Sequence, residues 1–423
     1  MRQALADLRA LIGGKVSSDD PQASCHGLVI VHILPNAGLL RLPSERASML
    51  RRDVAWRLAG TLRTQDSLYA LEPWEWLALL PNLPSPASVP LAMIKIHRLF
   101  LQATYPQYDG IELQIRCGSA IAPEHGNDPQ HLIQSARIAA LNAHMENDWS
   151  ALYHPDMEQR SARRAHLAQR LQNALQQDEL QLFLQPQVNL VDQHCNHAEA
   201  LLRWWSPDDG KWMDPLQLVD LLEEMGLRPH FNQWLFQRGA LYLARLAEAG
   251  QPIGISINLT ANDLLDPEVP DLIEQALSTW RVSPERLMLE ITETAAVQEG
   301  REVEDVLLRL RNLKIRLSID DFGTGHANMS YLQHMPVQEI KVDKRFIQFD
   351  DPRNREITRS IMELAHKLGM EVVAEGVETE EILNFLRELS CDRLQGFLYS
   401  QALDLDAFLA WRQRHESERQ HAT

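Results

Sequence analysis

At 423 residues the chain can hold about two or three domains, each burying its own core, and 45% hydrophobic with 23% charged residues is an ordinary globular composition. A net charge of −17 argues against binding nucleic-acid polymers and against docking on anionic membranes, but leaves an anionic substrate open, since cations and a few arginines reverse the sign locally. The longest apolar run, "GLVIVHIL" (27–34), is too short to span a bilayer.

The opening "MRQALADLRALIGG" carries charges throughout and has no apolar signal-peptide core. "IGGK" (12–15) lacks the spacing of a phosphate-binding loop. The four cysteines, at 25, 117, 195 and 391, have no paired spacing and read as reduced thiols of a cytoplasmic protein. A mixed α/β region of residues 1–155 is followed by "DMEQRSARRAHLAQRLQNALQQD" (156–178), polar and basic at first, then with Leu167, Leu171 and Ala174 at helical spacing. It is expected to be a connecting helix.

Eight strand-like runs follow in residues 179–415: "LQLFLQPQV", "HAEALLRWW", "IGISINLT", "RLMLEITET", "IRLSIDDFG", "EIKVDKRF", "MEVVAEGVE" and "CDRLQGFLY". Most are separated by helical patterns, which predicts a (β/α)8 barrel. Only "NLVDQHCN" joins the first two, too short for a parallel crossover, so one strand should run antiparallel. Residues 416–423 read as a tail.

Nearly every run ends on a charged or amide residue: Asn258, Glu290, Glu293, Asp320, Asp321, Lys341, Asp343, Glu375, Glu378 and Gln395, with Glu199 inside the second run. Strand ends meet solvent and are polar for that reason alone. That accounts poorly for carboxylates such as Glu290 and Asp320 inside apolar strands, and barrel enzymes work at this end of their strands. Carboxylate and amide oxygens are hard donors, suited to Mg²⁺ or Mn²⁺. Glu199, Asn258, Glu290 and Asp320 can surround one ion, and Asp320 with Asp321 can serve two, an arrangement suited to phosphoryl displacement. Lys341 and Asp343 share a strand face, where the lysine can orient a water or form an ion pair inside the barrel. "FGTG" (322–325) gives a turn beside this cluster that reads as a gating loop, with Glu293 as its brace. "HCNH" (194–197) reads as a polar turn, Trp204, Trp205 and Trp212 as packing residues, and Leu201 and Leu202 as core.

At "EALLRW" (199–204) the chain resembles the EAL-domain family of cyclic di-GMP phosphodiesterases. "QP" (185–186), "INLT" (257–260), "LEITET" (289–294), "DDFGTG" (320–325), "KVD" (341–343), "AEGVE" (374–378) and "QGF" (395–397) occur in the family's order. The resemblance implies hydrolysis of cyclic di-GMP to linear pGpG with two Mg²⁺ or Mn²⁺ ions. It implies Glu199, Asn258, Glu290, Asp320, Asp321 and Asp343 at the metals and Lys341 at the catalytic water. Glu375 matches a general base or second-metal ligand. Gln185, Leu202, Arg203, Glu378 and Gln395 would bind substrate, and Glu293 would hold the gating loop. Several positions depart from the family: His326, Ala327 and Asn328 after "DFGTG", Leu222 before Glu223, Lys314 and Ser390 for glycines, Ala402 for a proline. None removes a metal ligand.

Residues 24–150 resemble a GGDEF domain without its active site. "GLVIVHIL" matches its first strand and residues 115–145 a later strand and helix, while "EPWEW" (72–76) stands in place of the signature pentapeptide. Glu72 and Pro73 cannot give a nucleotide the close backbone approach that glycines allow. "RTQD" (63–66) stands where active members carry an inhibitory RxxD site, although Arg63 and Asp66 at this spacing read equally as a solvated pair. The expectation is therefore a catalytic barrel under a regulatory or dimerising domain, with an unidentified regulatory protein partner. The rival is a receptor that binds cyclic di-GMP without cleaving it.

Overall fold

The computed structural model describes residues 1–13, 25–34, 38–39, 42–102, 105–108, 111, 113–143, 149–296, 300–324, 332, 335–348 and 352–422. The chain divides into two compact units, Met1–Leu167 and Ala168–Thr423. Among the described residues no helix is long and apolar enough to cross a membrane.

In the first unit, β1 (Cys25–Ile33), β2 (Ser67–Glu72), β3 (Glu75–Leu83), β4 (Ile115–Ala122) and β5 (Ser150–Leu152) form one sheet in the order β2-β3-β1-β4-β5. All pairs are antiparallel except β4–β5. The β1 run is apolar without alternation because both of its faces are covered. Val29 and Val31 pack with Leu50 and Val54 of the helix Ser44–Thr61 and with Met93 and Ile96 of Ser88–Gln102. Leu28 and Ile30 pack with Ala4 and Leu8 of Arg2–Gly13 and with Leu132 and Ala136 of Pro129–Ala143. Gly118 lets that last helix lie against β4: a Cβ there would stand 2.1 Å from the carbonyl oxygen of Ala136.

"EPWEW" spans the end of β2, a turn at Pro73 and Trp74, and the start of β3. Arg137 closes it, 2.6 Å from Glu75 and 3.4 Å from Glu72. Arg63 and Asp66 are engaged with each other, their closest ion pair at 2.7 Å, and the Asp66 carboxylate also accepts from the Arg63 backbone N–H at 2.8 Å.

A helix occupies Asp156–Gln176, with Leu171 and Ala174 fully buried. Beyond it all eight predicted runs are strands: β6 (Gln181–Asn189), β7 (Cys195–Arg203), β10 (Gly254–Leu259), β11 (Leu287–Thr292), β12 (Arg316–Phe322), β13 (Glu339–Val342), β14 (Glu371–Ala374) and β15 (Arg393–Leu394). A small ribbon of β8 (Trp205–Ser206) and β9 (Lys211–Trp212) follows β7. The eight close into a barrel in the order β10-β11-β12-β13-β14-β15-β6-β7. Only β6 runs antiparallel to its neighbours. Its reversal follows from the short connection: Asn189 Oδ1 accepts from the N–H groups of Val191 and Asp192, a side-chain-closed turn that sends the strand straight back.

The crossover helices show why they lie on the barrel. In Arg301–Asn312 the buried residues are Val303, Val306, Leu307 and Leu310, one stripe at helical spacing. Residues from 416 onward, read above as a tail, continue the helix Leu405–Ala422. Glu416 meets the His194 imidazole at 2.7 Å and the Cys195 N–H at 3.2 Å. The "HCNH" stretch is thus a turn anchored by this helix and the start of β7.

Candidate active site

Alternation along the barrel strands decides which side chains enter the interior. In β13, Ile340 and Val342 face the helices while Glu339 and Lys341 face inward. Lys341 is 1% exposed, and its Nζ lies 2.7 Å from Glu290, 2.6 Å from Glu375 and 3.2 Å from both Glu199 and Asp320. Burial alone would lower its pKa, but the attraction of these four carboxylates outweighs it and holds the ammonium well above its ordinary value.

The carboxylates divide by the donors each receives. Burial opposes the charge on Glu199, but Lys341, Gln395 (2.6 Å) and Asn258 (2.8 Å) outweigh it, and its pKa falls. Glu290 is fully buried and, among the described residues, receives a hydrogen bond from Lys341 alone; burial and the neighbouring Glu199 push its pKa well up, and its Oε1 has no partner there. Burial, with Asp320 and Glu199 close by, pushes Glu375 up to about 7 against the pull of Lys341.

Asp320 and Asp321 would face opposite ways on a regular strand. The structure resolves this inside β12: Asp321 adopts φ +53, and the pairing with β13 slips between Ile319 and Phe322. Aspartate tolerates this left-handed conformation better than most side chains. One oxygen each from Asp320, Asp321 and Glu375 then lie within 4.8 Å of one another. Burial first, then repulsion by Asp320 and Asp343, pushes Asp321 up to about 6. Asp343 opens the short helix Lys344–Ile347, accepting from the Arg345 N–H at 2.7 Å; the Arg345 contacts outweigh burial and lower its pKa.

Glu293, the first residue after β11 and only 6% exposed, accepts from the Gly323 N–H at 2.9 Å. It therefore ties the segment after the aspartate pair to β11. Gly325 and the departures at 326–328 lie outside the described residues.

A cavity of about 270 Å³ opens here, lined by Gln185, Glu199, Asp320, Glu375, Glu378 and Gln395 among others. Leu201, not Leu202, lines it. Leu202 alternates to the other face of β7 and presents its carbonyl, which accepts from Arg203 Nη1 at 2.8 Å. The cavity also has Lys344, Gly376, Gly396 and Phe397 in its wall, to which the motifs gave no role; Lys344 is the residue next to Asp343 of "KVD", and the others lie within "AEGVE" and "QGF". Trp204 is buried, whereas Trp205 and Trp212 pack edge to face on the ribbon with centroids 5.4 Å apart.

The donor set fits a hard divalent cation. It is all oxygen, it includes an orphaned buried carboxylate oxygen on Glu290, and it converges at Asp320, Asp321 and Glu375. Among the described residues Lys341 is the one cation buried within this cluster, so the carboxylates carry surplus negative charge.

Residues 168–402 match the family described as the EAL domain. The cyclic di-GMP phosphodiesterase NbdA of Pseudomonas aeruginosa is 34% identical over 69% of this chain and 37% of its own length. The bifunctional diguanylate cyclase/cyclic di-GMP phosphodiesterase MucR of the same organism is 28% identical over 86% of this chain and 53% of its own. Among solved structures, that of the PaMucR phosphodiesterase in complex with c-di-GMP superposes with a TM-score of 0.55 at 32% identity, covering 57% of this chain and 99% of that one. The chain spans about two fifths of the length of the curated relatives it first matches.

Proposed function

The chain belongs to the EAL-domain family, and from that membership we propose that its second unit hydrolyses one phosphodiester bond of cyclic di-GMP, giving linear pGpG with two bound Mg²⁺ or Mn²⁺ ions. The observation that carries this reading is the buried Lys341 ammonium among Glu199, Glu290, Asp320 and Glu375 at the barrel mouth. Four carboxylates around one lysine leave uncompensated negative charge that divalent cations would balance.

Glu199, Asn258, Glu290 and Asp320 would hold one ion, and Asp320, Asp321 and Asp343 the other. Bound there, the pair supplies Lewis-acid stabilisation of the phosphoryl oxygens and lowers the pKa of the attacking water. The remaining steps belong to side chains. Lys341 orients the water by donating to its oxygen. Glu375, pushed up to about 7, can accept the water's proton near neutral pH. Water's oxygen bonds to phosphorus as the bond to the leaving ribose oxygen breaks, and a proton passes to that oxygen. Gln185, Gln395 and Glu378 on the cavity wall, with Arg203 and the Leu202 carbonyl at the end of β7, position the dinucleotide. Glu293 keeps the Gly323 segment in register with the site.

The first unit is read as a GGDEF-like regulatory or dimerising domain without a cyclase site. Its β2–β3 turn is flanked by Glu72 and Glu75, both bound to Arg137, and MucR, named for both activities, aligns over 86% of this chain. A cytoplasmic location belongs to the same reading, supported by four buried cysteines that are all free.

Two variants test the enzyme against the receptor. Glu199→Ala should abolish hydrolysis and weaken cyclic di-GMP binding in Mg²⁺. Lys341→Ala should keep binding and stop cleavage. Wild-type protein that binds the dinucleotide tightly while Lys341→Ala changes nothing in its fate would favour the receptor.

A further inference from the structure

Below the metal-site carboxylates lies a run of buried polar side chains, two of which, Gln187 and Arg393, no motif marks. Arg393 on β15 is 4% exposed, Gln187 on β6 is 0%, Gln395 is 4% and Glu199 is 5%. Arg393 Nη1 donates to Gln187 Oε1 at 3.1 Å. Gln187 Nε2 donates to Gln395 Oε1 at 2.9 Å. Gln395 Nε2 donates to Glu199 Oε2 at 2.6 Å and to Gln185 Oε1 at 3.1 Å. At the far end, Arg393 Nη2 is held by Glu339, completely buried, and by Glu371 at 2.8 Å, which also takes Arg316 at 2.7 Å.

The direction of this chain matters. A glutamine amide can turn over, exchanging its donor and acceptor ends at nearly equal shape. A guanidinium cannot, since it has donors only. Arg393 therefore fixes the carbonyl of Gln187 toward itself, which leaves the Gln187 NH₂ facing Gln395. That in turn fixes the carbonyl of Gln395 inward and its NH₂ toward Glu199 and Gln185. With either amide reversed, two like ends would meet in a buried site, and reversal of Gln395 would turn a carbonyl oxygen onto the Glu199 carboxylate. The same polarity turns the Gln185 carbonyl toward Gln395 and leaves its NH₂ on the outer side, where it meets the Ser400 carbonyl at 3.4 Å.

We propose that Gln187 and Arg393 are positioning residues: a one-way hydrogen-bond relay, anchored by Glu339 and Glu371, sets the amide of Gln395 and through it the orientation of Glu199 for cation binding. This rests on the two-cation reading above. Gln187 and Arg393 touch neither substrate nor cation; they act through Gln395.

The test is calorimetric titration of the full chain with Mn²⁺ alone, alongside thermal unfolding of the metal-free protein. Gln187→Met removes the middle of the relay and keeps the volume. Arg393→Met combined with Glu339→Met removes the anchor while leaving neither ion unpaired, a replacement that folded proteins generally accept. Both variants should still unfold in one transition, a few degrees below wild type because each orphans a buried polar partner, and bind Mn²⁺ roughly tenfold or more weakly, the worth of a charge-assisted hydrogen bond. Saturating Mn²⁺ should restore most of kcat. Wild-type affinity in both variants overturns the relay. Wild-type protein that takes up no Mn²⁺ overturns the cation reading itself.

Discussion

Lys341 Nζ lies 2.6 Å from Glu375 Oε1, and the same ammonium also meets Glu199, Glu290 and Asp320. A buried cation surrounded in this way is structural as well as chemical. Lys341→Met should destabilise the metal-free protein by about 3–5 kcal/mol, the usual cost of leaving buried ions uncompensated. Mn²⁺ should then raise the unfolding temperature more in the variant than in wild type. Equal increments, read by thermal unfolding with and without the ion, would deny that lysine and cation share one charge-balancing role.

The pH dependence follows from two raised carboxyls. Asp321 is pushed up to about 6 and Glu375 up to about 7. Both values exceed those of the unfolded chain, so their contribution to metal-free stability is present below about pH 4 and is lost as pH rises through 6 and 7. A cation prefers the charged forms. Its affinity should therefore climb between pH 5 and 8, with protons released on binding, and metal-loaded protein should not share the stability loss. Calorimetry in buffers of differing ionisation enthalpy measures the release. Zero proton release at pH 6.5 would exclude these groups from the site.

Asp321 serves by backbone and by charge, and the two can be separated. Asn tolerates the φ of +53, so Asp321→Asn should keep the fold while losing most cation affinity at the second position and roughly a hundredfold or more in turnover. Asp321→Val should additionally lose about 1–2 kcal/mol of stability from strain. Circular dichroism melts and Mn²⁺ stoichiometry distinguish the two effects. An Asn variant as unstable as the Val variant would mean that the carboxylate, not the backbone, shapes the bulge.

The barrel was legible in the sequence because its strands are short apolar runs ending on polar residues, and the antiparallel β6 because "NLVDQHCN" is too short to cross over. The bulge was legible only as a conflict. "DD" at the end of β12 demanded an irregularity, but nothing local said that Asp321 would take a positive φ as well as Gly323, whose φ is +94. The relay through Gln187 and Arg393 was missed although Gln187 sits two residues from Gln185 on the same face. Its meaning depends on β15 lying beside β6, a closure between the first and last strands that no local pattern encodes.

In the first unit, Arg63 and Asp66 satisfy one another, and Arg63 Nη2 also donates to the Pro81 carbonyl at 3.1 Å. Arg63→Ala in the full chain should leave the number and affinity of cyclic di-GMP sites unchanged. A lost site in equilibrium dialysis would mean that this pair opens to take the dinucleotide.

The most direct measurement is the fate of cyclic di-GMP incubated with the purified protein and Mg²⁺ or Mn²⁺, followed by ion-exchange chromatography of the products. The account predicts one pGpG formed for each cyclic di-GMP consumed, no product in excess chelator, and none from Glu199→Ala. Intact dinucleotide after hours with either cation, in protein that demonstrably binds it, would contradict the account.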